Sequence, residues 1–173
     1  MMKRNNFPFS AVLGLNHAKT AILIVLVNPR AGGLLISGPR GIGKSTLMRS
    51  TQELIERPWR DIPVSVTEDR LFGTIDTEKA IYSGQKKLYP GIINEADQGV
   101  LYLDDANLLR EDLLDFILNI AEVGAYQLER DGLSLRCDTS FTVIAAINPE
   151  SGMLSGACLD QFGLFVNCLL YTS

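Results

Sequence analysis

The chain has 173 residues, 46% hydrophobic and 21% charged, with a formal net charge of -4, which suits one α/β domain with a substantial core. The acidic balance offers no chain-wide basic surface for neutralising phosphates, so nucleic acid is not an expected partner. Three cysteines without a CxxC pair, and a single histidine, His17, make neither a zinc site nor a disulfide framework and suit a reducing, cytoplasmic compartment.

Residues 16–27 read as a helix ended by Asn28-Pro29, because proline removes the donor the next turn needs. Its apolar part, Ala21 to Val27, is far shorter than the ~18 residues of a membrane span. No small-residue cleavage site follows it, so a secretory signal is not expected either. Gly32-Gly33 releases a short buried strand, Leu34–Ser37, and the spacing then predicts a helix over 44–56. Pro63–Thr67 alternates like a second strand, and the polar, glycine-punctuated stretch to Gly99 reads as loops and an insertion, with Lys86-Lys87 as solvated charge. Val100–Leu103 is a continuous apolar run, expected in the interior of a sheet. A helix follows over 107–123 until Gly124, and then a hairpin, 126–130 and 133–136, turns on Asp131-Gly132. Phe141–Ile147 is a last buried strand, stopped by Asn148-Pro149. Strands alternating with helices imply a parallel sheet covered on both faces.

One motif carries chemistry at once. Gly38-Pro39-Arg40-Gly41-Ile42-Gly43-Lys44-Ser45 fits GxxxxGK[ST] and lies between a strand and a helix, the context that motif requires. Its glycines let backbone N–H groups turn toward phosphates, and the helix that continues through Thr46 adds partial positive charge. Lys44 would reach the β- and γ-phosphates of ATP, and Ser45 would hold Mg²⁺. Asp104, ending the Val100–Leu103 strand, would hold Mg²⁺ from the other side, and Asp105 would position or deprotonate the attacking water. The same two acids also suit the N-terminus of the following helix. Asn148 would set its amide between γ-phosphate and water, although Asn-Pro is equally a turn signal.

With these stretches in hand, the chain resembles the ATPase (I) subunits of magnesium chelatase, AAA+ proteins of the helix-2-insert group, over 7–166. The resemblance rests on Phe7–Gly14, the glycine loop, Asp69–Gly73, Tyr89–Ile93, Gly99–Leu109, Glu129–Ser134, Asn148–Glu150 and Leu159–Gly163. It implies a P-loop AAA+ core of three layers with a central parallel sheet and hairpin insertions over 72–92 and 125–136. It places Val12 to Gly14 against the adenine and makes Asn148 the sensor on the neighbouring strand. It further implies a homo-oligomeric ring, in general a hexamer, working with a larger AAA+ and integrin-I-like subunit and a porphyrin-binding subunit. That assembly inserts Mg²⁺ into protoporphyrin IX for chlorophyll or bacteriochlorophyll synthesis, in the cytoplasm or, in a phototrophic eukaryote, the plastid stroma.

The chain departs from the family pattern at informative places. The usual second acid of the strand end is glutamate, and here it is Asp105. The arginine expected to reach a neighbour's ATP is Gln161, and an earlier arginine is Ser155. Both changes favour ATP binding over rapid hydrolysis, and leave a weakly hydrolysing regulatory protomer as an alternative, beside a cobaltochelatase-type subunit and a MoxR-like remodelling ATPase. Cys168–Ser173 has a reverse translation, TGTCTCTTATACACATCT, identical to a transposon end used in sequencing adapters. The expectation is therefore a native core over 1–167, a non-native tail over 168–173, and no C-terminal helical lid.

Overall fold

The computed structural model describes residues 7–76, 88–130 and 132–168. Lys86, Lys87, Asp131 and the last five residues of the expected tail lie outside them. In chain order the elements are α1 (Asn16–Val27), β1 (Leu34–Ser37), α2 (Lys44–Gln52), β2 (Trp59–Ile62) and α3 (Glu68–Phe72). Next come β3 (Gly73–Ile75), β4 (Leu88–Pro90), α4 (Ile92–Glu95), β5 (Val100–Leu103) and α5 (Glu111–Val123). The chain closes with β6 (Ala125–Arg130), β7 (Leu133–Asp138), β8 (Thr142–Ile147), α6 (Gly156–Asp160) and β9 (Leu164–Asn167).

Five strands form one parallel sheet in the order β2-β5-β8-β1-β9. Side chains alternate across it, so each strand feeds two cores. Leu34, Ile36, Val100, Tyr102, Ile144 and Ala146 pack with α1 and α2 on one face. Leu35, Leu101, Leu103, Val143, Ala145 and Ile147 pack with α5 and the α3–α4 region on the other. This is the expected three-layer α/β arrangement, and both faces are covered because β1, β5 and β8 have no polar face to leave in water.

Two antiparallel pairs stand outside the sheet. β3 pairs with β4, and β6 with β7, the latter from Ala125–Asp138 to Arg130–Leu133. They coincide with the two segments expected as insertions.

Three local expectations need correction. The strand expected at Pro63–Thr67 is instead β2 at Trp59–Ile62, paired with β5 from Trp59–Val100 to Ile62–Leu103. β2 is an edge strand whose middle residues Arg60 and Asp61 are exposed, so it lacks an apolar run, and Pro63 cannot donate to continue it. Helix α2 ends at Gln52 rather than 56: Ser50 and Thr51 hydroxyls both donate to the Leu47 carbonyl at 2.7 Å, a competing bond that weakens the next turn. The helix expected from 107 begins as a 3-10 turn over Ala106–Leu108, breaks at extended Leu109 and Arg110, and becomes α-helical at Glu111. One strand, β9, was not anticipated. It pairs with β1, and Cys168, in the expected non-native tail, extends that pairing through its N–H to the Ser37 carbonyl at 2.7 Å.

Candidate functional site at the carboxyl edge of the sheet

Because β1, β5 and β8 run parallel, their carboxyl ends share one edge. Ser37 lies level with Ile147, and Leu103 with Ala145. Gly38, Asp104 and Asn148 therefore leave the sheet together, although 44 and more residues separate them in sequence. The Gly38 N–H donates to the Ile147 carbonyl at 3.2 Å, tying the start of the loop to the strand that carries Asn148.

Gly41 and Gly43 hold φ of 85° and 95°, the left-handed region that a side chain disfavours. At Gly38 a methyl would stand 2.5 Å from the Ile42 Cδ1, which can turn aside, and 3.0 Å from the Cys168 carbonyl oxygen, which is backbone. Lys44, the first residue of α2, folds back so that its Nζ donates to the Gly38 carbonyl and, at 2.9 Å, to the Pro39 carbonyl. Burial pushes its amine below the ordinary lysine value, while Asp105 and then Asp104 act in the opposite direction. A phosphate oxygen arriving at the loop would meet a cation already aimed into it. Val12 is buried against α1, and the segment that follows reaches the loop, since a methyl on Gly43 would sit 3.9 Å from the Leu15 Cδ1. Gly14 is exposed with φ 70°, and Thr46 points outward from α2.

The Ser45 hydroxyl donates to Asp104 Oδ2 at 3.1 Å, joining α2 to the end of β5. A hydroxyl and a carboxylate are the hard oxygen donors that suit Mg²⁺, which takes one or two protein ligands and fills its shell with water and phosphate. Among the described residues no cluster of three or more histidine, cysteine or acidic side chains offers an all-protein metal cage. The residues present thus fit a cation shared with a phosphate.

Asp105 adopts φ 51° and ψ 47°, turning it out of the strand, and its Oδ2 lies 3.9 Å from Arg40 Nη2 of the glycine loop. Asn148 is 2% exposed. Its Oδ1 accepts the Glu150 N–H at 3.2 Å and its Nδ2 donates to Ser151 Oγ at 3.2 Å, so both ends of the amide are engaged in the turn after β8. Of the two sequence interpretations of Asn148, the turn is the one these bonds form.

Two neighbours escaped the sequence reading. Asn107 donates to the carbonyls of Asn148 at 3.4 Å and Gly152 at 3.1 Å, coupling the turn after β5 to the turn after β8. Tyr102 is 6% exposed, and its hydroxyl beside Asp104 and Ser45 has no hydrogen-bond partner. Burial first, and Asp104 second, hold that phenol well above the usual tyrosine value. The available signal was a lone hydroxyl inside an otherwise aliphatic strand. Gln161 lies elsewhere: it borders a cavity of about 540 Å³ with Gly33 and Thr142 at the amino ends of β1 and β8, and its Nε2 donates to Asp115 and the Ala157 carbonyl.

A lysine-bearing glycine loop facing an acid-ended strand across the carboxyl edge of a parallel sheet is how P-loop domains take up nucleotides. The chain belongs to the AAA domain family, dynein-related subfamily, whose family model matches residues 33–161. It is 36% identical to the magnesium-chelatase 38 kDa subunit of Rhodobacter capsulatus, over 94% of this chain and 56% of that one. It is equally 36% identical to the magnesium-chelatase subunit ChlI of Olisthodiscus luteus, over 91% of this chain and 55% of that one. Its fold is similar to the solved complex between subunits BchI and BchD of magnesium chelatase, with a TM-score of 0.84 at 35% identity, covering 98% of this chain and 63% of that chain. The chain therefore spans a little over half the length of the curated relatives it matches.

Proposed function

We propose that this chain is the nucleotide-binding part of an ATP-driven magnesium-chelatase motor subunit. The observation that carries the reading is the Ser45–Asp104 hydrogen bond, which joins glycine loop and acidic strand into one site of oxygen donors. In this reading the loop backbone from Gly38 to Gly43 wraps the phosphates, Lys44 exchanges its loop carbonyls for β- and γ-phosphate oxygens, and Thr46 caps the α-phosphate side. Val12 and Gly14 border the adenine. Ser45 and Asp104 hold Mg²⁺, which when bound neutralises charge on the phosphate oxygens. Asp105 orients the attacking water and accepts its proton, and Asn148 holds that water toward the γ-phosphate. The motor works as a homo-oligomeric ring with a larger AAA+ subunit and a porphyrin-binding subunit, inserting Mg²⁺ into protoporphyrin IX in the cytoplasm or plastid stroma. No described helix is long and apolar enough to cross a membrane.

A second reading has specific support. Asp105 is one methylene shorter than glutamate, and Gln161 is neutral where an arginine would serve a neighbour. Arginine fingers are worth roughly 10³–10⁵ in rate, so this protomer would bind ATP, assemble and turn over slowly.

The test is reconstitution of the full-length protein with both partner subunits, protoporphyrin IX and ATP, following metalloporphyrin fluorescence. Magnesium insertion that disappears in Lys44→Ala supports the motor reading. Cobalt insertion alone would make it a cobaltochelatase-type subunit, and ATP turnover without insertion of either metal would favour a MoxR-like remodelling role.

A further inference from the structure

The β2 side of the Ser45–Asp104 pair opens into a cavity of about 270 Å³, lined among others by Tyr102, Asp61, Trp59 and Arg49. Asp61 and Tyr102 are register partners on adjacent strands, so their side chains stand side by side on the α2 face. Asp61 accepts the Trp59 indole N–H at 2.9 Å, which fixes the carboxylate and leaves its second oxygen free of that bond. The Tyr102 hydroxyl is the unexplained group here: buried beside Asp104 and Ser45 and unpartnered, while the rest of the residue borders the cavity. A buried hydroxyl without a partner costs about 1–3 kcal/mol, and an apolar strand would carry phenylalanine at no such cost. Magnesium dehydrates reluctantly and keeps several waters, which need acceptors and donors beyond its direct ligands.

We infer that Tyr102 and Asp61 form an outer wall of the divalent-cation site, receiving the water shell of a cation held at Ser45 and Asp104. The inference rests on the nucleotide-site reading above and adds two residues to it. Tyr102 is a positioning residue: its hydroxyl orients Asp104, and touches neither phosphate nor the attacking water. Asp61 supplies negative charge one strand further from the nucleotide, which favours a hydrated divalent ion over a bare monovalent one.

The experiment titrates MgCl₂ into the chain with ADP, by calorimetry and by emission of Trp59, the single tryptophan. Magnesium is expected to tighten ADP binding and to change Trp59 emission through the Asp61 contact. Tyr102→Phe, which removes one oxygen, and Asp61→Asn, which retains an acceptor for the indole, are each expected to raise the half-saturating magnesium concentration about tenfold. Affinity for ADP without magnesium should be unchanged in both. Equal magnesium dependence in wild type and both variants would overturn the inference while leaving the nucleotide site intact. An equal loss of ADP affinity with and without magnesium would also overturn it, since that is the signature of a merely structural role. Wild-type ADP binding that ignores magnesium would remove both the inference and the reading beneath it.

Discussion

Asp105 illustrates how much a single methylene decides. Its αL backbone aims the carboxylate out of the sheet toward Arg40, and the shorter side chain ends roughly 1.5 Å short of where glutamate would reach, a displacement of a size that can cost about 100-fold in rate. Asp105→Glu is expected to raise steady-state ATP turnover of the assembled full-length protein at least about tenfold, with little change in nucleotide affinity; turnover unchanged or lower would remove this residue from the water-positioning role. Lys44 makes the opposite case. Lys44→Ala is expected to weaken nucleotide binding by about 30-fold or more, from the ~2 kcal/mol lower bound for truncating a buried charged contact, as read by equilibrium titration with a fluorescent nucleotide. Its buried amine also links stability to pH. Burial lowers its affinity for a proton in the folded chain, so its contribution to stability is full above 10.5 and is lost as pH falls through the lowered value. Urea midpoints measured across that alkaline window should rise with pH in the native chain and flatten in Lys44→Met.

Among the elements, β9 depends on one residue that approaches backbone too closely for any side chain. A Cβ on Gly163 would lie 1.6 Å from the Ala31 carbonyl oxygen, and the Gly163 N–H donates to the Gly32 carbonyl at 2.8 Å. Both partners are backbone, so neither can swing aside. Gly163→Ala is expected to cost about 3 kcal/mol or more in chemical denaturation, with earlier amide exchange in β9 than in β8. Uniform loss across the sheet would show that β9 is not a separable edge. The α5–α6 contact has its own tether, Cys158 Sγ donating to Asp115 Oδ1 at 2.9 Å. Burial first, then Asp115, raises that thiol above its ordinary value, and peptide mapping after iodoacetamide treatment at pH 8 should find Cys158 slower to react than a free cysteine.

For the molecule as a whole, the glycine-loop edge and the Gln161 edge are opposite ends of the same sheet, so Gln161 does not reach this chain's own loop. Ligand uptake at the first edge should stabilise the entire fold, because loop, β1, β5 and β8 all belong to its core. With Mg-ADP at about 100 times its dissociation constant, the gain is about 2.7 kcal/mol, or a melting-temperature rise of roughly 5–10 °C for a chain of this size. Lys44→Ala should abolish most of that rise, and a rise preserved in the variant would place the ligand elsewhere.

Much of this was written in local sequence. The spacing of glycines, Lys44 and Ser45 specifies a phosphate loop because backbone chirality and charge act within a few residues, and the aliphatic runs of β1, β5 and β8 declare buried strands by themselves. The end of α1 before Asn28-Pro29 followed from proline chemistry for the same reason. What needed tertiary structure was anything decided by a neighbour distant in sequence. β2 became a strand through its partner β5 despite exposed Arg60 and Asp61, and β9 through a glycine only wide enough for Ala31. Asp104 met Ser45, Arg40 met Asp105, and the Tyr102 hydroxyl was buried without a partner only when the sheet closed around them. Local conformational preference is encoded residue by residue, whereas desolvation and pairing exist only once separate strands are brought to the same edge.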